Sequence, residues 1–119
     1  MVIILVLLMK AYFKYYYINT DDFAHKIKQD KNAVIIDVRT PKEWKDGIIP
    51  NARLINLFEP VTFQREITGL NKDRNYYIYC RSGNRSGQAC KIMESKGFKT
   101  YNLSGGIMQW NKELSKPVF

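Results

Sequence analysis

Residues 76–97 read YYIYCRSGNRSGQACKIMESKG, and the fold class turns on them. Tyr76–Tyr79 is a short aromatic and β-branched run, the composition of a strand, and it leads directly into Cys80. From Ser86 to Lys96 the apolar residues Ala89, Cys90, Ile92 and Met93 recur at helical spacing, and Gly97 supplies a stop. Strand, short loop and helix therefore follow one another without a break.

The same alternation continues outward on both sides. Ala33–Val38, AVIIDV, has the continuous apolar character of a strand buried on both faces of a parallel sheet. Before it, Tyr15–Ile18 reads as a strand, and Thr20 is expected to cap a helix running to about Gln29 with Phe23, Ala24 and Ile27 inward. After it, Pro41 opens a short helical turn closed by Gly47, Leu54–Leu57 reads as a strand, and Pro60–Ile67 as a helix with Val61, Phe63 and Ile67 as its apolar positions. Thr100–Leu103 is the last strand, and Gly105-Gly106 leads into a final helix containing Ile107 and Trp110. Strands separated by helix-length connections predict an α/β fold: a mostly parallel sheet of about five strands with helices on both faces.

Bulk properties narrow the function. At 119 residues the chain holds one domain, placed at 15–119 behind an apolar extension at 1–14. The net charge of +8 would suit anions, yet the 19 Lys and Arg are scattered from Lys10 to Lys116 and no two are adjacent, so nucleic-acid binding is not expected. Cys80 and Cys90 are the only cysteines. Two thiols make neither a disulfide framework nor a zinc site, and they suit a reducing, cytoplasmic setting in which a thiol can act as a nucleophile. No metal and no organic cofactor is expected.

Met1–Met9, MVIILVLLM, leaves three readings open. Nine residues are too few to span a bilayer, which takes about 20. Extending the run to Ile18 places Lys10 and Lys14 inside it. The segment either packs on the domain or on a partner subunit, touches a membrane through residues 1–18 as an anchor, or is a processed signal.

The chemistry concentrates in Cys80–Arg85. A thiol stands at the carboxyl end of a buried strand, the edge where open α/β sheets bind ligands. Gly83 lets the backbone curl so that successive amides face inward. Those amides, the following helix N-terminus and the guanidinium groups of Arg81 and Arg85 all favour an anion, and the same field lowers the thiol pKa. On the Cys-x4-Arg spacing alone, a structural cysteine is an equal reading; the strand before, the helix after and the glycine between tilt it towards a nucleophile.

CRSGNRS, the downstream Ala89–Phe98 stretch and NLSGGIMQW together resemble the active-site half of a rhodanese-like domain. The upstream IIDVRTPKEWKDGIIPNARLINL resembles that family's other hallmark, and the likeness runs from about Tyr17 to Leu114. The resemblance implies a rhodanese-like fold and a thiosulfate sulfurtransferase type of transferase. Cys80 would be the catalytic sulfur carrier, holding a persulfide. Arg81, Ser82, Gly83, Asn84 and Arg85 would bind the substrate, with Arg81 attracting a small anionic sulfur donor. A thiol, including one on a protein, or cyanide would accept the sulfur; a partner-docking module with little thiosulfate turnover is the alternative. Relatives that act on phosphoesters or arsenate carry one more residue between Cys and Arg, so the six residues here imply sulfur transfer. Asp37, Arg39 and Glu43 are expected to support the site: Arg39 and Glu43 as an ion pair, Asp37 by accepting hydrogen bonds from loop amides. Cys90 and Trp110 are expected to pack in the core and His25 to lie on the surface. Where relatives read Gly-His-Ile-Pro-x-Ala, this chain has Gly47-Ile48-Ile49-Pro50-Asn51-Ala52, a departure in a structural turn.

Overall fold

The computed structural model describes residues 16–118. The expected extension at 1–14 lies outside the described residues. Five strands form one parallel sheet: β1 Tyr16–Ile18, β2 Ala33–Asp37, β3 Arg53–Leu54, β4 Asn75–Tyr79 and β5 Lys99–Leu103, in the spatial order β1-β5-β4-β2-β3. The helices are α1 Thr20–Gln29, α2 Pro41–Trp44, α3 Pro60–Thr68 and α4 Asn84–Ser95, followed by a 3-10 turn at Ile107–Gln109.

β4 sits at the centre, and its alternation divides the core. Tyr76, Ile78 and Cys80 join Phe63 and Ile67 of α3 and Ala89, Cys90 and Met93 of α4. Tyr77 and Tyr79 face the other way, onto Phe23 of α1, Leu103 and the half-buried Trp110. Both faces of the sheet are therefore covered, as the apolar runs in β2 and β4 require. The core roles of Cys90 and Trp110 hold, and His25 lies exposed on α1.

Several elements differ from the sequence expectation for identifiable reasons. The cap of α1 is Asn19 rather than Thr20, because the Asn19 carboxamide accepts the Asp22 amide at 2.8 Å. Val61 is exposed: Phe63 and Ile67, four residues apart, define the inward stripe of α3, and a residue two before Phe63 points away from it. The third strand ends at Leu54, although the Ile55 and Leu57 amides still donate to the Asp37 and Val38 carbonyls at 3.0 and 3.1 Å. The final helix is a single 3-10 turn, since Trp110 turns extended and Ser115 returns to bridge Ile48. That bridge occupies the turn in which Ile48, 6% exposed, stands where the resembling family has histidine.

Candidate active site

Cys80 follows β4 directly, and its side chain lies in the buried cluster below the sheet edge. Its sulfur accepts two hydrogen bonds, from the Gly83 amide at 3.1 Å and from the Ser86 hydroxyl at 3.3 Å. Burial pushes the thiol pKa up. The Ser86 hydroxyl and the Ser86, Gly83 and Ser82 amides outweigh it, and the thiol sits below its ordinary value.

The turn that aims these donors depends on Gly83. Its φ of +101° lies in the left-handed region, and a Cβ there would stand 3.3 Å from the Leu103 carbonyl oxygen. Gly83 is also the N-cap of α4, which begins at Asn84, two residues earlier than the apolar periodicity suggested. Asn84 and Arg85 thus belong to the first helical turn, and the positive end of the α4 dipole lies beside the sulfur. Arg81, Ser82 and Asn84 are exposed at the mouth of the loop.

The charged residues pair differently from the expectation. Arg39 reaches only the Glu43 main-chain carbonyl, at 3.3 Å, while the Glu43 carboxylate binds Arg85 through two bonds of 2.7 and 2.8 Å. That contact, followed by the Thr40 bonds of the α2 capping box, holds the Glu43 carboxyl down to about 2 against the opposing effect of burial. The Arg85 guanidinium also lies 5.4 Å from the centre of the Phe58 ring. Arg39 pairs instead with Asp37 at 2.8 Å and donates to the Gly47 carbonyl, also at 2.8 Å. Asp37 also accepts from the Arg39 amide and Nε and from the Tyr79 hydroxyl, so its partners are Arg39 and Tyr79 rather than the amides of the Cys80 loop. The geometric cause is strand polarity: Arg39 lies two residues past Asp37 at the end of β2 and folds back over it, which leaves Glu43 to reach across to α4.

Ser86 is the site residue that sequence reasoning missed. Treated as the start of a helix, it is fully buried and gives its hydroxyl to the sulfur. A signal existed, since a hydroxyl residue in the first turn of a helix that follows a cysteine loop can face back into that loop. Cys90 provides the contrast. Burial pushes its thiol up to about 12 against a bond from Thr100, so it stays protonated where Cys80 ionises. Among the described residues no group of three or more His, Cys, Asp or Glu side chains could hold a metal, and no helix is long and apolar enough to cross a membrane.

A buried thiol with donors converging on its sulfur can ionise, attack an electrophilic atom and have the resulting anion held in place. A profile of the rhodanese-like domain family matches residues 20–113. The chain is 39% identical over 100 residues to YtwF of Bacillus subtilis, named as a candidate sulfurtransferase, covering 84% of this chain and 93% of that one. It is 35% identical over 94 residues to a sulfurtransferase of Allochromatium vinosum, covering 78% and 85%. The crystal structure of a rhodanese-like domain protein from Staphylococcus aureus matches with a TM-score of 0.76 at 35% identity, over 87% of this chain and 99% of that one.

Proposed function

Because this chain belongs to the rhodanese-like domain family of sulfurtransferases, we propose that it moves sulfane sulfur from a small anionic donor such as thiosulfate through a persulfide on Cys80. The observation that carries this reading is the sulfur-directed donor set: the Gly83 amide and the Ser86 hydroxyl both reach Cys80 Sγ.

In the first step the Cys80 thiolate attacks the outer sulfur of thiosulfate. A new S–S bond forms, the old S–S bond breaks, and its electron pair leaves with sulfite. In the second step an acceptor thiolate, on a small molecule or a protein, or cyanide attacks the outer sulfur of the persulfide, and the Cys80 thiolate leaves. The substrate-binding set remains Arg81, Ser82, Gly83, Asn84 and Arg85, with the amides around the loop holding the outer sulfur and Arg81 drawing in the anion. Asp37 and Arg39 as one ion pair, and Glu43 through its pair with Arg85, support the site. The thiolate chemistry suits a reducing, cytoplasmic compartment, and residues 15–119 form the domain behind an extension at 1–14.

One observation favours the docking-module reading. Glu43 neutralises Arg85, which leaves Arg81 to attract a free anion, so a donor delivered by a bound partner would depend less on surface charge. Mass spectrometry tests the main reading. Thiosulfate treatment should add about 32 Da, one sulfur atom, by persulfide formation. Cys80→Ser should abolish the gain and Cys90→Ser should keep it. Sulfur found on Cys90 in the Cys80→Ser protein, or none in the unmodified protein, refutes the assignment. Aryl-phosphate turnover that depends on Cys80 and rivals thiosulfate activity would overturn the loop-length reading.

A further inference from the structure

The Cys80 loop has a rear wall, and one buried side chain belongs to it. Asn102, on β5, is fully buried and donates its carboxamide Nδ2 to the Gly83 carbonyl at 3.0 Å. The same carbonyl accepts the Gly87 amide at 3.1 Å, the opening bond of α4. Behind the neighbouring residues, the Ile107 amide donates to the Cys80 carbonyl at 2.9 Å and the Met108 amide to the Arg81 carbonyl at 3.1 Å. Gly106 permits that approach: a Cβ on it would collide with the Arg81 carbonyl.

These contacts have a directional consequence. A trans peptide unit points its C=O and its N–H to opposite sides. Carbonyls 80, 81 and 83 are drawn backwards, so the amides of Arg81, Ser82 and Asn84 point away from that wall, and the Ser82 amide is one of those that act on the Cys80 sulfur. Two of the rear donors are backbone amides, which any sequence would supply at that position. Asn102 is the exception, because its donor exists only by virtue of the side chain.

Asn102 also carries a cost. Among the described residues its Oδ1 is buried with no hydrogen-bond partner, a desolvated acceptor that nothing offsets. A leucine, with the same branching of heavy atoms but no polar atom, would avoid it. The bond to Gly83 is what the carboxamide provides in return.

We propose that Asn102 is a positioning residue: by holding the Gly83 carbonyl from behind, it fixes the α4 N-terminus and the loop amides against the Cys80 sulfur. This rests on the reading of Cys80 as the reactive thiol, but not on sulfur transfer itself. The charged and titratable groups around the sulfur are the Arg85–Glu43 pair, the Asp37–Arg39 pair and the Cys90 thiol. Substituting Asn102 leaves all of them in place.

The test is the pH dependence of Cys80 alkylation in the full chain carrying Asn102→Leu or Asn102→Ala. Both should raise the midpoint by about one pH unit, so roughly tenfold less thiolate is present well below it. Single-turnover sulfur loading should slow with little change in the Michaelis constant for thiosulfate. Thr100→Val serves as the control. Thr100 is equally buried, lies two residues earlier on the same strand and bonds Glu94 and the Cys90 thiol rather than the loop; its loss should lower stability and keep Cys90 protonated, leaving the Cys80 midpoint unmoved. A midpoint that stays put in folded Asn102 variants, or one that moves as far in Thr100→Val, overturns the proposal. If neither Asn102 variant folds, the unmodified protein decides. The Asn102 side-chain amide resonances must shift with the alkylation midpoint as Cys80 ionises, and resonances indifferent to that titration refute the role. Alkylation needs no sulfur donor, so a protein that never gains sulfur would end the functional reading and leave this one standing.

Discussion

Ser86→Ala removes one hydroxyl from a fully buried position, where the smaller side chain fits without displacing a neighbour. The Oγ–Sγ bond of 3.3 Å is among the contacts that hold the Cys80 thiol below its ordinary value against burial. A hydrogen bond to a charged acceptor contributes about 1.5–3 kcal/mol. Sulfur is a diffuse acceptor and the distance is long, so the lower figure applies. At about 1.36 kcal/mol per unit, the midpoint should rise by about one pH unit. The rate responds less than the thiolate fraction does. Below both midpoints that fraction falls about tenfold, but a more basic thiolate is intrinsically about threefold more nucleophilic, given a Brønsted slope of about 0.4–0.5. Alkylation by iodoacetamide should therefore slow about threefold below the midpoints and quicken about threefold above them. The crossing of the two pH–rate curves is the signature, and Ser86→Thr, which keeps a hydroxyl, should stay near the unmodified curve. A Ser86→Ala protein that folds normally and shows an unmoved midpoint would refute the hydrogen-bond account of the lowered pKa.

Three further outcomes are expected. Arg39→Ala strands the buried Asp37 carboxylate and leaves the Gly47 carbonyl without its donor, so urea denaturation should show a loss of about 3–5 kcal/mol; a loss under about 1 kcal/mol would mean the pair is unimportant to the fold. The Glu43 carboxyl titrates at about 2 in the folded state against 4.5 for an ordinary glutamate. A depressed carboxyl stabilises the protein above pH 4.5, and that contribution should drain away as pH falls from 4.5 to about 2. The full linkage value is about 3 kcal/mol, reduced to about 1–2 because water reaches the pair, and Glu43→Gln should flatten this part of the stability–pH curve. Arg81→Ala should raise the Michaelis constant for thiosulfate, and added salt should reproduce the effect in the unmodified protein by screening; identical constants at all salt concentrations would remove Arg81 from donor capture.

Features that depend on short stretches of chain were legible before any fold was known. The apolar runs of β2 and β4, the helix-length spacings between strands and the cysteine at a strand end were all readable, because pattern and steric preference act over a few residues. The contrast between the settings of Cys80 and Cys90 was partly readable too: one thiol stands in a glycine-bearing loop, the other at an apolar helical position. Boundaries were less readable, since the packing partner decides where a helix begins. At Gly83, the left-handed N-cap of α4, the Leu103 carbonyl and the Gly105 amide leave little room for a side chain, a crowding that the local sequence does not reveal.

Tertiary structure alone decided the pairings. Nothing in the interval from Arg39 to Glu43 shows that Arg39 turns back to Asp37 while Glu43 reaches Arg85, 42 residues further along the chain. The rear wall of the loop is likewise invisible in sequence. Asn102 and the amides of Ile107 and Met108 meet residues 80–83 only because β5 lies beside β4 in register and the chain then crosses the end of the sheet. Local propensity reports which residues bend or extend the backbone. Which donor finds which acceptor depends on the strand order, and hydrogen bonds act over about 3 Å, so that assignment exists only once the sheet has formed.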